Sequence, residues 1–176
     1  MKAIVDIETT GLNPLKDKII AIGILFFNGV EGDEKVAILN GHNAEKAMLM
    51  DFWKRLVDKK VEEIYGFNFE FDWTFLKLRS LKYRVSIKQF TNKTWLKEAK
   101  WFDLRLILNS NRYMKGTKLC DYLAFLDIEN GDKFCGADVP QLYEEGKIDE
   151  ILSHLEHDIW GTYMLYKVMK GCGLVD

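Results

Sequence analysis

The stretch Lys2-Ala3-Ile4-Val5-Asp6-Ile7-Glu8 carries the reading of the fold. Lys2 to Ile7 reads as a buried first strand, and Thr9-Thr10-Gly11-Leu12-Asn13-Pro14 supplies the turn after it. Side chains alternate along a strand, so Asp6 and Glu8 point to the same face. Two carboxylates side by side on a buried face cost free energy unless a cation sits between them, and a divalent metal is the natural partner. Taken alone, an Asp-x-Glu also fits a solvated strand end; further carboxylate and imidazole positions downstream give it weight.

Working outward, Lys18 to Phe27 and Glu34 to Asn40 read as the next two strands, with Asn28-Gly29 and the acids after it as the hairpin. Ala44 to Lys59 has helical spacing at Ala47, Met48, Phe52, Leu56 and Val57. A short strand is expected at Ile64 to Phe67, a helix at Phe71 to Leu81, and a last short strand at Trp101-Phe102. Asp103 then caps a helix beginning at Leu104. Thr117 to Asp127 reads as an amphipathic helix and about Glu150 to Lys170 as the final one. A three-strand meander followed by alternating helices and strands predicts an α/β fold: a central mixed sheet of about five strands flanked by helices, with the first strand central.

Two further constellations fall on these elements. In Tyr65-Gly66-Phe67-Asn68-Phe69-Glu70-Phe71-Asp72 the chain leaves a strand and enters a helix, which puts Asp72 at the C-terminal edge of the sheet, where α/β proteins place their sites. A carboxylate there also favours the helix N-terminus, and Asn68 also suits a turn. In His154-Leu155-Glu156-His157-Asp158 on the last helix, His154 and Asp158 are four residues apart and project from one face. Two of the chain's three histidines cluster beside this aspartate on an otherwise apolar helix.

The 176 residues, 48% apolar and 13% aromatic, suit a single domain spanning residues 1–176 with one core. Asp6 interrupts the N-terminal apolar run before a signal-peptide core can form, and no stretch is long enough to span a bilayer, so a cytoplasmic protein is expected. Three cysteines without Cys-x-x-Cys spacing argue against a disulfide framework or a zinc knuckle. The net charge of −2 hides an uneven distribution. Lys77 to Trp101 holds eight bases (Lys77, Arg79, Lys82, Arg84, Lys88, Lys93, Lys97, Lys100) against the single acid Glu98. Tyr83, Phe90, Trp95 and Trp101 are interleaved among them. That mixture suits either a groove that holds phosphates and stacks bases or a solvated basic surface.

The three constellations resemble the DEDD superfamily of 3′-to-5′ exonucleases, which have the ribonuclease H-like fold. Asp6-Ile7-Glu8-Thr9-Thr10-Gly11-Leu12 is similar to its first motif, Asn68-x-x-x-Asp72 with Phe71 to its second, and His154-x-x-x-Asp158 with Thr162 to its third. Gly136 to Gly146 further resembles the branch related to the proofreading domain of family B DNA polymerases. The resemblance implies that Asp6, Glu8, Asp72 and Asp158 hold two divalent ions, Mg²⁺ or Mn²⁺, about 3.5 to 4 Å apart, for hydrolysis at the 3′ end of single-stranded DNA or RNA. It also implies substrate contacts by Thr9, Thr10, Leu12, Asn68 and Phe71.

One departure concerns the residue that orients or deprotonates the attacking water. Members with tyrosine place it four residues before the last aspartate, and those with histidine usually five; here Ser153 is at minus five and His154 at minus four. His154 remains the candidate base, because neutral imidazole suits proton transfer near neutral pH, while His157 points about 100° away around the helix. Two other readings of the same residues are a nucleic-acid-binding module that does not hydrolyse and a ribonuclease H-like endonuclease. Sugar preference and oligomeric state are not encoded in any motif.

Overall fold

The computed structural model describes residues 1–41, 44–85, 100–109, 113–132 and 134–176. Strand β1 (Lys2–Thr9) pairs antiparallel with β2 (Ile19–Phe27), and β2 antiparallel with β3 (Lys35–Asn40). After helix α1 (Glu45–Asp58), strand β4 (Glu63–Gly66) pairs parallel with β1. After α2 (Phe69–Lys82), β5 (Lys100–Asp103) pairs parallel with β4. Among the described residues the sheet is five-stranded in the order β3-β2-β1-β4-β5, mixed, with β1 central as expected. The chain then forms α3 (Leu104–Leu108), α4 (Leu119–Phe125), α5 (Val139–Glu144) and the long α6 (Ile148–Gly171).

The two-residue period of β1 divides the core. Ala3, Val5 and Ile7 face one side, where they meet Leu49, Phe52 and Trp53 of α1 and Phe75 and Leu76 of α2. Ile4 faces the other side with Leu123 of α4 and Leu155, Ile159 and Tyr163 of α6. Asp6 and Glu8 share the parity of Ile4, so they lie on the face that α6 covers. Gly23 stands opposite Asp6 on β2, and a Cβ there would meet Ile159 at 2.7 Å. The missing side chain is what lets α6 lie close over the strand pair.

Several boundaries differ from expectation. Helix α2 starts two residues early because Asn68 adopts the left-handed conformation at its N-cap (φ 57°), which asparagine tolerates. Asp103 caps α3 through Leu106 N, as expected, and its carboxylate also accepts from Asn68 N at 3.0 Å. It therefore ties the start of α2 to the end of β5. Helix α4 covers only the centre of Thr117 to Asp127, and α5 occupies a stretch given no helix by periodicity; six residues with Pro140 in the first turn are too short to show one.

The basic stretch is altered by packing. Arg79 is buried and pairs with Glu45 through Nε at 2.7 Å and Nη2 at 2.6 Å, and the Tyr83 hydroxyl donates to the same carboxylate at 2.9 Å. Arg79 is therefore not available to a nucleic acid, while Tyr83 stays partly exposed with its hydroxyl engaged. Lys88, Phe90, Lys93, Trp95, Lys97 and Glu98 lie outside the described residues. Glu45 Oε1 also accepts from Ile19 N at 2.9 Å, and Arg79 Nη1 donates to Pro14 O at 3.4 Å. One ion pair thus joins α1, α2, the start of β2 and the turn that carries Thr9 to Leu12. Replacing Arg79 with alanine strands a buried carboxylate, so Arg79→Ala should lower the unfolding free energy in urea by about 3–5 kcal/mol.

Candidate active site

Strand β1 delivers Asp6 and Glu8 beneath α6, and α6 lowers His154 and Asp158 onto them from one helical face. Nε2 of His154 lies 3.5 Å from Glu8 Oε1 and 3.8 Å from Asp158 Oδ2. Asp72 arrives from the opposite layer. It sits in the first turn of α2, and its Oδ1 accepts a hydrogen bond from the backbone N of Ile7, the residue between the two strand acids, at 3.1 Å. Its carboxyl also lies close enough to that of Asp6 for each to influence the other. The five residues expected to do chemistry therefore converge on the end of β1.

Burial dominates the electrostatics. It pushes the Asp6 carboxyl up to about 6, against the opposing effect of the Asp72 side chain and the Ile7 backbone. Glu8 is held well above the usual carboxylate range by burial and then by the charges of Asp6, Asp158, Asp72 and Asp132. Asp72 is raised well above its ordinary value by burial and by Asp6. Asp158 is pushed up to about 7 by burial and Asp6, with His154 pulling the other way. Burial is the largest cause of every shift, and at Glu8, Asp72 and Asp158 crowding with like charge adds to it.

Among the described residues, Glu8, His154 and Asp158 offer ligand atoms within 4.8 Å of one another, a donor set of two carboxylates and an imidazole that a divalent cation could bridge; Asp6 and Asp72, expected as ligands, are not in that group. Among the described residues, Nε2 of His154 is buried without a hydrogen-bond partner. A cation in such a cluster would offset the crowding of like charge, and carboxylate oxygens are the ligands Mg²⁺ and Mn²⁺ prefer.

The expected substrate contacts lie along the same edge. Thr9 is buried, and its hydroxyl donates to Gly11 O at 2.7 Å, shaping the turn from within. Thr10 Oγ1 accepts from Lys18 N at 3.1 Å. Leu12 is 85% exposed at the turn. Asn68 Oδ1 accepts from Arg105 Nη1 at 3.0 Å, and Phe71 packs on Phe75 with ring centroids 4.8 Å apart. His157 is turned aside, with Nδ1 2.7 Å from the carbonyl of Ser153.

Two residues at the site were not expected from the sequence. Arg105 reaches Asn68 from α3, and Asp132, from the loop between α4 and α5, places Oδ2 2.5 Å from His154 Nδ1. Neither has a local signal: Asn130-Gly131-Asp132 reads as a turn. A cleft of about 330 Å³ opens beside His154 and Asp158, walled by Lys118, Asn130, Asp132 and Phe134. A larger apolar cavity of about 450 Å³, lined by Tyr122, Leu126, Leu165 and Met169, holds none of these groups.

A family model described as the RNase_H superfamily matches residues 3–170. An uncharacterised protein of Methanocaldococcus jannaschii is 42% identical over 99% of this chain and 98% of its own length. Among solved structures, the family B DNA polymerase from the hyperthermophilic archaeon Pyrobaculum calidifontis matches 95% of this chain with a TM-score of 0.75 at 17% identity. This chain spans only 24% of that polymerase chain, and the likeness is one of fold. No described helix is long and apolar enough to cross a membrane.

The raised carboxylates set a pH dependence. A folded-state value above the ordinary 3.8, as at Asp6 and Asp158, means the folded protein binds more protons than the unfolded chain. The associated stability is complete below pH 3.8 and is lost as pH rises through about 6 and 7. In EDTA the melting temperature should therefore contain a component that falls by about 5 °C or more between pH 5 and 8. Millimolar Mg²⁺ or Mn²⁺ should remove it, and Asp158→Asn should reduce the slope in calorimetric scans.

Proposed function

The chain belongs to the RNase_H superfamily, and we propose that within it the protein is a metal-dependent 3′-to-5′ exonuclease acting on single-stranded nucleic acid. The observation that carries this reading is the convergence of Asp6, Glu8, Asp72 and Asp158 with His154 at the end of the central strand. Residues 1–176 act as one exonuclease domain, in the cytoplasm.

Asp6, Glu8, Asp72 and Asp158 would hold two divalent cations, which when bound would supply a lowered pKa for the attacking water and positive charge against the phosphate and the departing 3′ oxygen. His154, with Nε2 aimed between Glu8 and Asp158, takes the proton of that water as its oxygen attacks phosphorus. The P–O bond to the 3′ oxygen breaks, and a nucleoside 5′-monophosphate leaves. Leu12 meets the terminal base from the turn after β1, where an exposed leucine is free to do so. The backbone at Thr9 and Thr10 contacts the terminal nucleotide, and Asn68 and Phe71 position the scissile end from the start of α2. The hydrogen bond Arg105 makes to Asn68 puts a cation beside that end, where a phosphate would meet it.

The test uses 5′-labelled single-stranded DNA and RNA in Mg²⁺, Mn²⁺ and EDTA, with products resolved by length. Shortening one nucleotide at a time is expected, abolished by EDTA and by Asp6→Ala, and the relative rates give the sugar preference. Internal cuts in a circular strand would move the protein to the endonucleases; metal-independent binding without cleavage would make it a binding module. In the same assay, His154→Ala should reduce kcat by about 100-fold or more, whereas His157→Ala should leave it within about threefold.

A further inference from the structure

Building on the exonuclease reading, we propose that Asp132 is a positioning residue that locks His154 in the tautomer whose bare Nε2 faces Glu8 and Asp158. An imidazole with carboxylates on both sides has a choice. With its proton on Nε2 it would donate toward Glu8 and Asp158 and could accept nothing from a water; with the proton on Nδ1, the Nε2 lone pair is free. The distances decide between the two. Asp132 Oδ2 stands 2.5 Å from Nδ1, a full hydrogen bond, whereas Glu8 and Asp158 stand 3.5 and 3.8 Å from Nε2, beyond one.

The carboxylate is itself held. Asp132 Oδ1 accepts from Phe134 N at 3.1 Å, so one oxygen closes a local turn while the other faces the ring. Gly131 enters that turn with φ 68°, a conformation most side chains resist. The contact is sheltered, with the His154 side chain 3% and that of Asp132 11% exposed. The Nδ1 of His157 instead faces the carbonyl of Ser153 in its own helix, so its ring has no carboxylate behind it to stabilise an imidazolium. A carboxylate behind a histidine is a general way to fix which ring nitrogen is free and to stabilise the imidazolium once it has taken a proton.

The tautomer can be read without reference to activity. The chain has three histidines, so ¹⁵N-histidine-labelled protein gives three ring systems that His→Gln variants assign. In EDTA, at a pH where the ¹⁵N shifts show a neutral ring, His154 should carry its proton on Nδ1, and Asp132→Asn, which can donate as well as accept, should move it to Nε2 or mix the two forms. In the exonuclease assay Asp132→Asn should lower kcat by about 100-fold or more with KM changed less than about threefold. It should cost nothing further in a His154→Ala background.

A neutral wild-type ring protonated on Nε2 would overturn the assignment, as would a ring that keeps both protons at every pH where the protein stays folded. So would an Asp132→Asn enzyme that keeps its kcat, or a loss that persists in full without His154. The wild-type spectrum decides even if Asp132→Asn does not fold. Should the spectra come out as expected while the wild type degrades no strand, the exonuclease reading falls and the tautomer lock stands.

Discussion

Like charge crowded at the end of β1 is the constraint to which the rest of the molecule answers. Asp6 and Glu8 project from the central strand, Asp72 reaches them from one layer, and Asp158 and His154 from the other. Removed from water and pressed together, the carboxylates rise well out of their ordinary range. A structure built only for stability would not gather them there, because each buried charge costs free energy that apolar residues would not. A divalent cation bound there would change the balance, replacing mutual repulsion with shared coordination and drawing the groups back toward their charged forms.

Keeping such a cluster together takes a stiff scaffold, and the surrounding packing supplies one. Gly23 allows α6 to lie against β2 opposite Asp6, so the helix bearing His154 and Asp158 sits at a fixed height above the strand acids. On the other face, the buried Glu45–Arg79 pair links both helices of that layer to the turn after β1. Asp103 does similar work at the far side, holding the first turn of α2, and with it Asp72, against the end of β5. Each of these contacts joins segments far apart in sequence, which makes the site a property of the whole fold.

Much of the architecture was legible because it follows from short-range periodicity. The strands of the meander, the helix over Glu45–Asp58 and the long last helix all announce themselves by alternation or by helical spacing. Short elements carried no such signal: α5 has six residues, too few for a period to emerge. In the basic stretch composition says nothing about burial: Arg79 counts there as a free cation, yet it is buried against Glu45.

What the sequence by itself determined are the placements fixed by local geometry: Asp6 and Glu8 on one face by the two-residue period of a strand, His154 and Asp158 on one face by the four-residue step of a helix. Tertiary structure alone decided which distant segments would meet. It brought Asp72 to the backbone of Ile7, hid Arg79 from solvent, and set Asp132 against His154, 22 positions later in the chain. The physical reason is one of range: periodicity fixes where a side chain points relative to its own element, and only the packing of elements fixes what it points at.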